Sequence, residues 1–217
     1  MSRASLDPTI AAELRRLALM PDEEIDTSDV PEISDWTRAV RARFSTTCLE
    51  SRGYDIRAIA NWILDYLSEL HLVASNMSLN KFAYFVLERG IVEKNILFTA
   101  ARVEAWDHGP VFREIYHAVK GDKDQPISSR ISRYSVRDRE ITEARDQFYA
   151  EDVVFFKSVI DDYKDLTAAQ LRRVSHRSDG PWDSVWKSAA PVNPGMVISA
   201  ELILATAPKR RDLNGRH

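Results

Sequence analysis

Apolar residues recur at helical spacing from Tyr54 onward, and this pattern limits the fold more than any other feature of the sequence. Asp55 is placed to cap a first helix, and Ser78 and Thr167 are predicted to cap two later ones. Gly90 is predicted to end the second helix. The pattern predicts a mainly α (α+β) protein. We expect a compact bundle of six or seven helices, a small antiparallel β element and an extended N-terminal arm.

Two Gly-Pro steps interrupt the helical pattern, and each has a tryptophan close by. Trp106 precedes Gly109-Pro110 in the stretch "EAWDHGPV", and Trp182 directly follows Gly180-Pro181. Pro110 is predicted to occupy the first turn of the next helix, because the N–H that proline lacks is not needed there. Large rings beside rigid corners typically pack between helices, so a structural role for both tryptophans is the main prediction. A partner-binding surface and a catalytic site are the alternatives.

The N-terminal region differs in composition from the rest of the chain. The segment "PDEEIDTSDVPEISDW", Pro21–Trp36, has seven acidic residues, two prolines and few apolar residues. This composition is typical of an extended segment and not of a core element. It is interpreted either as a solvated linker with a docked terminal helix or as an arm that folds on a partner. The residues that would anchor such an arm are Ile25, Val30, Ile33 and Trp36.

Charge and cysteine content exclude several classes of protein. The 217 residues have a net charge of −3, so no overall basic field attracts nucleic acid. A run of arginines is interpreted as a solvated face, with promoter DNA as an alternative partner: Arg130, Arg133, Arg137 and Arg139. The lone Cys48 cannot form an internal disulfide, which favours a cytoplasmic location. No apolar run approaches the about 20 residues needed to cross a bilayer, so no membrane partner is expected.

The histidines do not form a recognisable catalytic or metal-binding pattern. None of the five is paired with another on one helix face in zinc-protease spacing. Ser175 and His176 are adjacent and would point about 100° apart on a helix, so they do not make a nucleophile–base couple. His176 is instead predicted to cap a helix end, where its positive form suits the dipole. We expect no cofactor, no metal and no enzymatic activity; a hydrolase-like enzyme using His108 and His176 is the alternative.

Three segments in order resemble the Panacea domain of SocA-like antitoxins, also met as a phage-associated GepA-like domain. They are "NKFAYFVLERGI", "VEAWDHGPVFREIYHAVKG" and "LTAAQLRRVSHRSDGPWDSVW". The resemblance spans Tyr54 to Ala190. Where family members commonly carry a second helix rich in lysine, leucine and glutamine, this chain reads "LNKFAYFVL".

The acidic N-terminal segment has a resemblance of its own. It is similar to the Asp-x-Ser-Asp-Ile-Pro-Glu piece of BrnA-type antitoxins, which there precedes a DNA-binding part that this sequence lacks. This second resemblance is confined to a short segment. It implies that Asp26 and Asp29 belong to an arm that faces a partner.

Together the resemblances imply an antitoxin that neutralises a protein toxin encoded nearby, a role in keeping with phage defence. Direct masking of the toxin is the first expectation, and a proteolytic adaptor that delivers the toxin to a ClpXP-type protease is the alternative. The implied domains are an N-terminal helix and arm (1–50), the Panacea domain (51–192) and a C-terminal tail (193–217). The partner-binding residues that we predict in the domain are Trp106, His108, Pro110, Val111, Tyr116, His176 and Trp182.

Overall fold

The computed structural model describes residues 49–122, 125–136, 139–188 and 196–207. All of them belong to one compact unit, which spans Ser45–His217. This part of the chain contains seven α-helices: α1 Ile56–Glu69, α2 Asn76–Arg89, α3 Arg113–Val119, α4 Ala150–Tyr163, α5 Ala168–Ser175, α6 Pro181–Ser188 and α7 Ala200–Thr206. The prediction of a mainly helical protein with a small antiparallel sheet is confirmed. The predicted N-terminal arm lies outside the described residues.

Seven short strands form three small sheets within the described ranges. They are β1 Glu50–Ser51, β2 Ile96–Leu97, β3 Val103–Trp106, β4 Gly109–Phe112, β5 Ser132–Ser135, β6 Glu140–Glu143 and β7 Met196–Ile198. The central sheet is antiparallel in the order β4-β3-β7; β1 pairs with β2 in parallel, and β5 pairs with β6 as a hairpin. Both β7 and α7 lie within the range predicted as a C-terminal tail, and β7 forms one edge of the central sheet.

The ends of the helices follow local capping rules, with one correction. The Asp55 carboxylate accepts the Arg57 N–H at 2.9 Å, and Thr167 forms a capping box with Gln170, as predicted. Ser78 is not the cap of α2: Ser75 has the extended backbone of a cap, and its side chain accepts the Ser78 N–H. The prediction was wrong because Ser78 is the third residue of α2. Its hydroxyl accepts the Ser75 N–H and completes a capping box with Ser75. Gly90 ends α2, as predicted.

The hairpin at Gly109-Pro110 is the second correction. Pro110 and Val111 do not enter a helix: they lie in β4, where Pro110 pairs with Ala105, and α3 begins only at Arg113. Proline is tolerated because β4 is an edge strand, so one side of its backbone has no ladder partner. The local signal for a helix start is overridden by pairing with β3.

Helix α2 runs through the centre of the core. All but two of its 14 residues are buried, and it packs against α1, α4, α5 and β4. Most of its buried side chains are apolar. Besides Ser78, four polar or charged residues are at most 8% exposed: Asn76, Asn80, Lys81 and Glu88. Because buried polar groups are costly unless they are hydrogen-bonded, their partners show what α2 positions.

Candidate partner-binding site

Two polar side chains of α2 hold the edge strand β4. The Asn80 amide oxygen accepts the Phe112 N–H at 2.9 Å, and its amide nitrogen donates to Asn76 Oδ1 at 2.9 Å. Lys81 Nζ donates to the Pro110 carbonyl at 2.8 Å. The central helix therefore fixes the position of the β3–β4 hairpin through side chain to backbone bonds.

Gly109 lies at the point where Lys81 and His176 converge. Its φ of +101° is in the region that favours glycine, and a Cβ added there would lie 2.9 Å from both Lys81 Nζ and His176 Nε2. Only a residue without a side chain allows the hairpin to pack this closely. The glycine of the Gly-Pro step thus brings a lysine of α2 and a histidine of α5 to one place.

Lys81 is an unusual cation because it is almost completely buried. Lys81 is 1% exposed. Among the described residues, no carboxylate lies within ion-pair distance of its Nζ. Burial and, to a smaller extent, the nearby positive charge of Arg172 together lower its pKa to about 7. Lys81 therefore changes between charged and neutral forms near physiological pH.

His176 follows α5 as its C-cap, as predicted, but its imidazole is not a cationic cap. The backbone N–H of His176 bonds to the last carbonyls of α5, while the ring stacks on Trp182 with centroids 3.6 Å apart. Nε2 is buried and has no hydrogen-bond partner among the described residues. Burial lowers the pKa to about 4, and the charges of Arg172 and Lys81 act in the same direction. The prediction of a positive form was wrong because the ring packs into the core beside two cations.

The two tryptophans differ in exposure and in role. Trp182 is 7% exposed, and its indole N–H donates to the Trp106 carbonyl at 2.8 Å, which ties α6 to β3. The Trp106 indole is partly exposed; its N–H donates to Glu104 at 2.9 Å, and its ring centroid lies 4.8 Å from that of Tyr116. Trp182 is thus packed between elements of the core, whereas Trp106 also reaches the surface.

A cavity of about 300 Å³ opens beside Trp106. Its floor is made by the buried residues Asn80 and Lys81, and the exposed residues of its rim are Asp107, His108 and Lys120. Its walls include Met77, Trp106, Val111 and Tyr116. The cavity therefore combines aromatic and apolar walls with a cation at its base, a composition typical of a binding site.

Four of the residues predicted from the sequence line this cavity: Trp106, His108, Val111 and Tyr116. Pro110 contributes its carbonyl to Lys81, while His176 and Trp182 pack behind the hairpin and do not line the cavity. The predicted arm residues Ile25, Asp26, Asp29, Val30, Ile33 and Trp36 lie outside the described residues.

Sequence reasoning missed Asn80 and Lys81 as site residues. The only signal was a pair of polar residues in "NKFAYFVL", on a helix that is otherwise apolar on nearly every side. A helix with no polar face is a buried helix, and its polar residues are then candidates for a specific contact.

Two arginines of the run considered for DNA, Arg130 and Arg133, are engaged in ion pairs. Arg130 pairs with Asp65, and Arg133 pairs with Asp146 at 2.8 Å and Asp55 at 3.4 Å. Arg137 lies outside the described residues. These pairs reduce the positive charge that the run would offer to phosphate groups.

The described ranges contain no group of three or more His, Cys, Asp or Glu side chains arranged to hold a metal ion. None of the helices in the same ranges is both long enough and apolar enough to span a bilayer.

Comparison with known proteins identifies the family. Residues 79–183 match the family described as "Antitoxin SocA-like, Panacea domain". The antitoxin SocA of Caulobacter vibrioides (strain NA1000 / CB15N) is 30% identical over 139 residues, which cover 63% of this chain and 72% of that antitoxin. The chain belongs to the SocA-like antitoxin family. No solved structure matches it. The part that matches the SocA-like family contains Lys81, the whole β3–β4 hairpin, His176 and Trp182.

Proposed function

We propose that this SocA-like protein neutralises a protein toxin by binding it directly, and that the cavity beside Trp106 is the centre of the contact surface. The observation that carries the proposal is the cavity itself: its partly exposed Trp106 lies on a hairpin that α2 and α6 hold in place, and its partly exposed Tyr116 lies on α3. Aromatic residues in a preformed pocket are the typical energetic centres of protein interfaces. The toxin would be the product of a neighbouring gene.

The acidic segment Pro21–Trp36 is proposed as a second contact. Its seven acidic residues would speed encounter with a basic toxin surface, and its few apolar residues would anchor it. In this proposal residues 1–50 form an N-terminal helix and the acidic arm, residues 51–192 the Panacea domain and residues 193–217 the C-terminal tail. Binding requires complementary surfaces and no bond-making chemistry, so no catalytic residue is assigned.

The proposal is tested by measuring the affinity of the purified protein for the toxin by calorimetry, with two charge-introducing variants. His108→Glu changes a side chain at the cavity rim that is 60% exposed, whereas Val154→Glu changes a residue on α4 that is 68% exposed. Both should fold, because surface changes of this kind have small effects on stability. We expect His108→Glu to weaken binding at least tenfold, or about 1.4 kcal/mol, and Val154→Glu to leave it unchanged.

The outcomes separate the possible modes of action. A toxin that stays active in cells and does not bind the wild-type protein would overturn the proposal. Loss of binding in Val154→Glu alone would place the contact on α4 and overturn the assignment of the cavity. An unchanged toxin half-life during full neutralisation supports masking, whereas a shortened half-life would contradict masking and indicate delivery to a protease.

A further inference from the structure

We infer that the cavity is a carboxylate-binding site, and that an Asp or Glu side chain of the toxin enters it and pairs with Lys81. This inference rests on the proposed function, because the toxin supplies the occupant.

The first argument is that the bonding of Lys81 is incomplete. An ammonium group has three N–H donors, and among the described residues Nζ makes one hydrogen bond, to the neutral carbonyl of Pro110. The described residues supply it with no carboxylate, although a buried cation is strongly stabilised by one. Because Lys81 lines the cavity, a carboxylate that enters the cavity can supply this partner.

The second argument is the charge of the surroundings. Lys81 and Lys120 line the cavity, and Arg172 approaches from α5, where it donates to the Asp107 carbonyl at 3.2 Å. Asp107 is the single carboxylate among the lining residues; its side chain is 74% exposed and lies 3.3 Å from His108. Positive groups outnumber negative ones, so the cavity favours an anion.

The third argument is the shape and lining of the cavity. Its volume of about 300 Å³ is at the lower end of ligand pockets, and its walls are formed by Met77, Trp106, Val111 and Tyr116. The methylene carbons of an acidic side chain can pack against these walls while its carboxylate reaches the floor. An acidic side chain therefore matches both parts of the cavity.

This arrangement makes binding depend on pH. The charged and titratable groups near Lys81 are Arg172 on α5 and His176 at its C-cap. Asp107, His108 and Lys120 line the same cavity. With a pKa of about 7, Lys81 is mostly neutral at pH 8 and must take up a proton when a carboxylate binds. The affinity for the toxin should then fall about tenfold per pH unit above pH 7.

The test compares wild type, Lys81→Met and Lys120→Met by calorimetric titration with the toxin between pH 6.5 and 8.5. Methionine keeps the length and apolar character of the stem without the charge. We expect Lys81→Met to bind at least tenfold more weakly than wild type at pH 6.5 and to lose the pH dependence. Lys120→Met, which removes an exposed charge at the rim, should weaken binding less than about threefold.

A second measurement uses the wild-type protein alone and does not depend on the folding of a variant. Titrations at pH 8 in buffers of different ionisation enthalpy report the protons taken up on binding, and we expect an uptake of about 0.9 for a free pKa near 7. No uptake, or Lys81→Met binding as tightly as wild type, would overturn the carboxylate assignment and leave the proposed function standing. Failure of the wild-type protein to bind the toxin at any pH would overturn the proposed function instead.

Discussion

Two cations of this protein, Arg52 and Lys81, have opposite surroundings. Arg52, beside β1, donates from Nε to Asp152 at 2.8 Å, and the Tyr54 hydroxyl donates to the same carboxylate at 2.7 Å. Lys81, on α2, has a backbone carbonyl as its hydrogen-bond acceptor and a second cation, Arg172, nearby. The hydrogen bond to Asp152 raises the pKa of Arg52, whereas burial lowers that of Lys81 to about 7.

The difference separates a structural charge from one available to a partner. Asp152 is 2% exposed, and with Arg52 and Tyr54 it joins β1 to α4 in a group whose bonds are completed within the chain. The Tyr54 hydroxyl also accepts the Tyr149 N–H, and burial raises the pKa of Tyr54 to about 12. Since the low-dielectric interior favours only paired charges, the Arg52 group stabilises the fold by itself. The charge of Lys81 does not stabilise the fold in this way, because its hydrogen-bond acceptor among the described residues is a neutral carbonyl.

The largest expected effect is the loss of the Arg52 pair. Asp152→Asn should reduce the free energy of unfolding by about 3 kcal/mol, because the buried Asp152 carboxylate accepts hydrogen bonds from both Arg52 and Tyr54. Urea denaturation monitored by circular dichroism measures this change.

The matched control for that variant is Glu143→Gln, which removes the partner of the exposed Arg145 and should cost less than about 0.5 kcal/mol. The affinity of folded Asp152→Asn for the toxin should equal that of wild type. A loss of stability below about 1 kcal/mol would show that the pairing of Arg52 with Asp152 does not stabilise the fold.

The hairpin that faces Lys81 is expected to show an intermediate effect. Gly109→Ala should destabilise the protein by about 2 kcal/mol, because alanine is strained at positive φ and its methyl group would meet Lys81 and His176. Gly121→Ala is the control: nothing lies within 4 Å of a Cβ added there, and its φ is not in the positive range. Thermal unfolding of both variants measures the difference; equal melting temperatures would contradict the close packing at Gly109.

The smallest expected effect is a dependence of stability on pH through Lys81. The folded-state pKa of about 7 lies below the unfolded value of 10.5, so the unfolded state binds more protons between these limits. The penalty for burying the charge is therefore complete below pH 7 and is relieved as the pH rises. Relative to Lys81→Met, wild type should gain about 1 kcal/mol between pH 7 and 8 in urea denaturation. A constant difference between the two proteins would show that Lys81 does not titrate in this range.

Much of the fold follows from the sequence because its signals are local. Apolar spacing of three and four residues gave the helices, and Asp55 and Thr167 were identified as caps because a cap and its partner are two or three residues apart. The ordered motifs around Trp106 and Trp182 also indicated the SocA-like family, which the comparisons confirm.

The site depended on contacts between residues that are distant in the chain. Pro110 lies in a strand because β3 pairs with β4, Lys81 meets the Pro110 carbonyl 29 positions away, and His176 is neutral because it packs against Trp182 beside two cations. The sequence by itself determined which segments are helical and which family the chain resembles, since neighbours along the chain set these properties. Only the tertiary structure decided which charges are buried without a partner, because desolvation depends on everything packed around a group.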